Sequence, residues 1–151
     1  MVYNTEATEW PSFEINPAIK DLISRFFKLL DTQDSSVGNV LADEIFALNG
    51  RAEFGGHFFN GKEEIRGSRD SAWKVVTERR HAVLKVFSAD LEGSDLSLIG
   101  HVEMSFNNGK SVEGEFAGRL GVEGATGSSP KLTLYQVWAD SAPVNRALIR
   151  E

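Results

Sequence analysis

Residues 95–122, DLSLIGHVEMSFNNGKSVEGEFAGRLGV, carry the pattern that decides the fold. Leu96, Leu98, Gly100, Val102, Met104 and Phe106 fall on one side of an alternating run; Ser97, Ile99, His101, Glu103 and Ser105 fall on the other. A period of two sends successive side chains to opposite faces of a strand. The run from 111 to 122 divides likewise, Val112, Phe116, Leu120 and Val122 against Glu113, Glu115 and Arg119. Asn108-Gly109 lies between the runs and is a strong hairpin signal, because both residue types tolerate the positive φ of a tight turn. A sheet with one apolar face requires a cover.

The chain on either side supplies the cover and more strands. Residues 79–88 and 131–140 also alternate and are set off by glycine-rich turns. Upstream, Asn16-Pro17 suits a capped helix start. Ile19, Leu22, Ile23, Phe26, Phe27 and Leu30 then recur at three-and-four spacing, which predicts an amphipathic helix over 17–32. A second helix is expected from Ser36 to about Asp43, an extended stretch over 51–59, and a third helix over 62–76 with Glu63 and Glu64 in its first turn. Helices first and a strand meander afterwards define an α+β class, a curved antiparallel sheet covered by N-terminal helices. Residues 1–15 read as an N-terminal arm and 16–151 as one domain.

Composition removes several function classes. The 151 residues suit one domain, 41% hydrophobic and 25% charged. No apolar run approaches the ~20 residues of a membrane-spanning helix, and Met1 to Trp10 has no apolar core of a secretory leader. A net charge of −6 argues against a nucleic-acid partner, the densest basic cluster being Arg79-Arg80 beside His81. Without cysteine there is no disulfide framework or thiolate chemistry, and a cytoplasmic location is the expectation. The three histidines, His57, His101 and His81, lack metal-ligand spacing, so no metal is expected. Gly118 and Gly121 sit within a strand, away from any strand-to-helix turn that could cradle a phosphate, so no nucleotide cofactor is expected either.

The order of motifs resembles a known family. A long helix ends in Leu30-Asp31-Thr32; Gly61-Lys62-Glu63-Glu64-Ile65 opens a helix closing on Trp73. Arg80-His81 starts a strand, Gly100 and Asn108-Gly109 mark the hairpin, and Tyr135-Gln136-Val137-Trp138 lies in the last strand. Over residues 16–141 this is similar to the SnoaL-like proteins of the nuclear transport factor 2-like superfamily, in their fungal form, with distant similarity to scytalone dehydratase. The resemblance implies a cone-shaped α+β barrel with a pocket between sheet and helices, and a homodimer formed through the outer sheet face. It also implies a range of reactions, from cyclases, isomerases and dehydratases to non-catalytic binding modules.

Asp31 and His81 are the candidate catalytic pair. A carboxylate bonded to one imidazole nitrogen fixes the tautomer and leaves the other nitrogen to move a proton. Scytalone dehydratase is similar at both places. The chain departs from it where a second histidine becomes Val102 and two tyrosines become Phe54 and Leu30; the base of ketosteroid isomerase would fall near Gly55-Gly56. Arg69, on an apolar stripe, either pairs with Asp31, Glu44 or a backbone carbonyl, or holds an anionic or carbonyl oxygen of a ligand. Phe27, Phe54, Trp73, Met104, Phe116 and Tyr135 are expected to shape an aromatic-rich pocket for a small apolar metabolite. The charged row His101, Glu103, Glu113, Glu115 and Arg119 points to the outside of the sheet. Cofactor-free acid–base catalysis (isomerisation, cyclisation, dehydration or hydrolysis) is the leading reading, and a non-catalytic small-molecule-binding or dimerisation module of the same fold is the alternative.

Overall fold

A computed structural model describes residues 3–149; residues 1, 2, 150 and 151, the outermost parts of the expected arm and domain, lie outside the described residues. The Asn16 side chain accepts the Ala18 N–H at 3.0 Å and Pro17 takes the first helical position, so helix α1 runs Pro17–Leu30. Helix α2, Val37–Val40, widens into a π turn at Leu41–Ile45, which carries the second helix two residues past the predicted end near Asp43. Strand β1, Phe46–Phe54, then turns through Gly55-Gly56, both at positive φ, into β2, His57–Asn60. The extended region therefore starts earlier than expected, at Phe46, which is buried together with Ala52.

The third helix is shorter than predicted. Helix α3 spans Gly61–Gly67, and turns continue to Val76. Gly67 is a poor helix residue, and the Ser68 hydroxyl takes the Ile65 carbonyl at 2.6 Å, so the last turn closes on a side chain. Arg69 and Trp73 consequently sit on an irregular segment and not on a helical stripe. Strands β3 (Val76–Ser88), β4 (Asp95–Phe106), β5 (Ser111–Glu123) and β6 (Lys131–Trp138) follow, and a short helix α4 (Ala142–Leu148), absent from the sequence reading, ends the described chain.

The six strands form one curved, unclosed sheet in the order β2-β1-β6-β5-β4-β3. Its pairs are antiparallel except β1 with β6, which is parallel, because β1 enters from the helical half of the chain. The β4–β5 hairpin closes with Gly109 at φ +83° and the Phe106 N–H donating to the Lys110 carbonyl at 2.9 Å. The apolar faces read from residues 95–122 are the buried ones: Leu96, Leu98, Phe116 and Leu120 pack with Ile19, Ile23, Phe26 and Phe27 of α1. Each such fully buried side chain contributes roughly 1.5–3 kcal/mol of transfer free energy. A second, smaller cluster unites Val76 and Phe106 with Trp73, Met104 and Val144 beneath α4.

A register shift between Val83 and Lys85 changes the inward set of β3. Val86 is buried, whereas Phe87, which strict alternation would set on the face of His81 and Val83, is 47% exposed. At the same edge, Glu9 bridges to Lys85 and its carbonyl accepts the Val86 N–H at 3.0 Å, which fastens the N-terminal segment to β3.

Two predictions follow from this packing. A methyl at Gly100 would run into the Phe116 ring, which is itself enclosed by Phe27 and His81. Gly100→Ala should therefore cost about 1–3 kcal/mol in urea unfolding, and Phe116→Leu in the same chain should recover part of it. Asp43 takes hydrogen bonds from Arg66 and Lys62, which hold its carboxyl down at about 2 from an ordinary 3.8. A depressed carboxyl stabilises the fold above its unfolded value and loses that contribution as pH falls through the folded one. The stability difference between wild type and Asp43→Asn should thus shrink between about pH 5 and pH 2 in denaturant titrations.

Candidate functional site

Helix α1 ends on Leu30, so Asp31 becomes its cap residue, with its N–H still bonded to the Phe27 carbonyl at 3.1 Å. On β3, alternation sends Arg79, His81 and Val83 to the side that faces this helix end. The Asp31 carboxylate meets His81 twice. Oδ2 accepts the backbone N–H of His81 at 2.8 Å, and Oδ1 lies 2.5 Å from Nδ1. The two side chains are 5% and 10% exposed. The pair separated by fifty positions in sequence is therefore one unit.

This geometry selects a tautomer. Against a carboxylate, Nδ1 carries the proton and donates, so Nε2 is left with a lone pair. The ring packs between aromatic faces, 5.2 Å from the Phe27 centroid and 5.6 Å from that of Phe116. It is oriented by both its hydrogen bond and its packing.

Two guanidiniums stand over the same helix end. Arg69, from the irregular segment, donates from Nη2 to the Leu30 carbonyl at 3.1 Å; Arg79 donates from Nη1 to that carbonyl at 3.4 Å and from Nη2 to Ala72 at 2.9 Å. Of the partners considered for Arg69, the backbone carbonyl is the one it bonds, while Glu44 pairs with Arg25. Arg79 lies 4.7 Å over the Trp73 ring and Arg69 5.2 Å from that of Phe54. Burial lowers both guanidiniums from their ordinary value, Arg69 to about 10, with repulsion from Arg79 adding to the fall and the Asp31 carboxylate opposing it. Burial also raises the Tyr135 phenol, helped by Glu53.

Two open clefts flank this group. One, of about 520 Å³, is lined by Asp31, Trp73, Arg79, Arg80, Glu78 and Glu103 among others. The other, of about 730 Å³, reaches Arg69, Trp73, Arg66, Asp34 and Asp70. Gln33 and Trp73 border both. Neither is lined by His81, Phe27, Phe54, Met104, Phe116 or Tyr135. Phe27, Phe116 and Tyr135 are buried; Phe27 meets Phe26, Phe116 and Tyr135 ring against ring, Phe26 also meets Tyr135, and Phe54 stands beside Tyr135 at 5.9 Å. Met104 belongs to the cluster beneath α4. The structure thus gathers Asp31, Arg69 and Trp73 at a polar mouth, with His81 buried behind Asp31, and packs Phe27, Phe116 and Tyr135 in the interior with Phe54 half-buried beside them. Arg79 was missed as a site residue. Its signal was available, because it alternates with His81 and Val83 on one strand face, but its neighbour Arg80 made the pair read as a surface cluster.

Among the described residues one group has the composition of a cation site. His101, Glu103 and Glu113 have ligand atoms within 4.8 Å of one another, on the outer sheet face, with His101 Nε2 3.7 Å from Glu113. Both glutamates are exposed, and an imidazole–carboxylate pair accounts for the contact.

No family model matches the chain, and no curated protein matches it. Solved structures do. A protein assigned as a SnoaL-like polyketide cyclase from Jannaschia sp. CCS1 superposes with a TM-score of 0.68 at 11% identity, over 91% of this chain and 96% of that one. A hypothetical protein of ketosteroid isomerase-like fold from Catenulispora acidiphila DSM 44928, in complex with trimethylamine, gives 0.67 at 14% identity, over 84% and 91%. TerC, co-crystallised with polyporic acid, gives 0.66 at 14% identity, over 87% and 98%. The chain therefore has the α+β fold of the nuclear transport factor 2-like superfamily. Within that fold it is similar to the SnoaL-like and ketosteroid isomerase-like proteins. Among the described residues no helix is long and apolar enough to cross a membrane.

The Asp31–His81 contact carries two checks. Long-range ¹H–¹⁵N spectra should show the Nδ1–H tautomer for His81 at neutral ring charge, and Asp31→Asn should perturb it. Asp31→Ala leaves two buried donors of His81 without their acceptor, and should cost roughly 2–4 kcal/mol in chemical unfolding.

Proposed function

We propose that the chain is a cofactor-independent acid–base catalyst acting on a small metabolite at the polar mouth between α1, the 68–75 segment and β3. The observation that supports it is the double hold of Asp31 on His81. A carboxylate that binds both the backbone and the ring of one histidine fixes the ring's rotamer and tautomer. It also stabilises the imidazolium formed when Nε2 takes a proton. In this reading His81 transfers the proton, Asp31 orients it and balances its charge, and Trp73 forms the wall of the cleft. The chemistry needed is proton abstraction next to a carbonyl and return of the proton elsewhere, as in isomerisation, cyclisation or dehydration. The polyketide-cyclase assignment of one structural neighbour is consistent with that class, though fold alone does not carry a reaction.

A second reading, a non-catalytic binding module that pairs with a second copy through the outer sheet face, rests on a different observation. The His81 ring lies between Phe27 and Phe116, the residue is 8% exposed, and the cleft reaches Asp31 in front of it. Catalysis at Nε2 requires this aromatic packing to open; binding in the cleft does not.

Deuterium wash-in at the benzylic α carbon of a ketone such as 2-indanone, followed by proton NMR, separates the two. Wild type should accelerate exchange, and His81→Ala should lose about 10²–10⁴-fold of it while keeping the native circular dichroism spectrum. Unchanged exchange in the variant would remove His81 from the chemistry. Absence of any acceleration by wild type would favour the binding module.

A further inference from the structure

The Asp31 carboxylate, held at both oxygens by His81, supports two half-buried guanidiniums beside it through space only, without a direct ion pair. Their shared hydrogen-bond acceptor is one neutral carbonyl, that of Leu30. Cations suit a helix C-terminus, which explains why one arginine is tolerated here. It does not explain two, since each guanidinium brings five N–H donors and a full positive charge. Among the described residues neither Arg69 nor Arg79 has a carboxylate within 4 Å, whereas Arg66 and Arg119 each do. The Arg69 Nε atom is buried without a hydrogen-bond partner. The acids Glu78, Glu103, Asp34 and Asp70 that border the clefts are exposed at the rims, where solvent screens them.

We infer that Arg69 and Arg79 form an anion clamp, and that the metabolite carries a carboxylate or an acidic enol seated at the wall the two clefts share. The clamp deepens the proposed acid–base reading. It rests on that reading for which atom reacts, but not for binding. Its physical basis is desolvation. A guanidinium held away from water interacts with an anion more strongly than a surface arginine does, and a planar fork matches two oxygens at once. Trp73 lies under Arg79 and borders both clefts, so a flat unsaturated ligand would have a ring to stack on while its oxygens face the arginines. Negative charge developing on an enolate beside His81 would meet the same two cations, which turns the clamp into transition-state stabilisation. The sequence implied a largely apolar ligand; the two arginines add a required charge to it.

Benzoate and cinnamate, with benzamide and cinnamamide as uncharged counterparts of the same shape, test the clamp on wild-type protein by calorimetry and by the arginine Nε–Hε signals in ¹H–¹⁵N spectra. The carboxylates should bind at least about tenfold tighter than the amides and should move the Arg69 and Arg79 signals. Arg79→Met and Arg69→Met should each weaken carboxylate binding by about tenfold or more, and Arg→Lys should restore part of it. His81→Gln should retain carboxylate binding; ketone exchange that survives in this variant with binding intact would sink the catalytic reading alone, whereas wild type that does not prefer carboxylates would sink the clamp alone. The inference is overturned if wild type binds amides as well as carboxylates, or if only surface arginines such as Arg80 and Arg119 respond. The comparison on wild type decides the matter even where an arginine variant does not fold.

Discussion

The Asp31 carboxylate joins the end of the covering helix to the middle of an edge strand, and the rest of the site is arranged around that junction. A buried carboxylate is costly unless its oxygens are occupied, and here each accepts a donor from His81. Because one donor is backbone and the other side chain, the contact fixes strand position and ring orientation together. Leu30, the residue before it, then offers a free helix-end carbonyl in a fixed place, and Arg69 and Arg79 gather on it. A helix one residue longer would move both the carboxylate and this carbonyl away from β3.

The same junction explains why the polar mouth and the packed interior lie so close together. Phe27, four residues before Asp31, inserts between His81, Phe116 and Tyr135. Phe116 passes over β4 at Gly100, the one residue type that leaves room for its ring. The aromatic side chains therefore support the histidine from behind, and the charged groups surround it from the front. Apolar support behind and desolvated charge in front is a common design of proton-transfer sites, because packing holds the ring while low dielectric strengthens the charges that act on it.

The sheet was legible in residues 95–122 because alternation, a glycine turn and buried faces all express one period of two. Helix α1 was legible for the same reason at period 3.6, with Asn16-Pro17 marking its start. The third helix was over-extended because Ile65, Ala72, Trp73 and Val76 imitate a helical stripe; Ser68 capping Ile65 outweighs that pattern. Strict alternation would set Phe87 beside His81 on β3, but a register shift is a property of two paired strands and leaves no mark in one of them. Helix α4 is short, and its stability comes from covering Val76, Met104 and Phe106, residues remote in sequence.

For the site, the sequence determined which chemical groups exist: one histidine on an inward strand face, one aspartate at a helix end, arginines at 69, 79 and 80, and no cysteine. Those are properties of residue identity and local period. Tertiary structure alone decided that Asp31 reaches His81, that Arg69 and Arg79 share a carbonyl, and that Phe27, Phe116 and Tyr135 pack against one another inside the sheet. Each of these depends on how far α1 and the 68–75 segment sit from a curved sheet. That spacing is set by the summed packing of many side chains, and no local stretch of the chain encodes it.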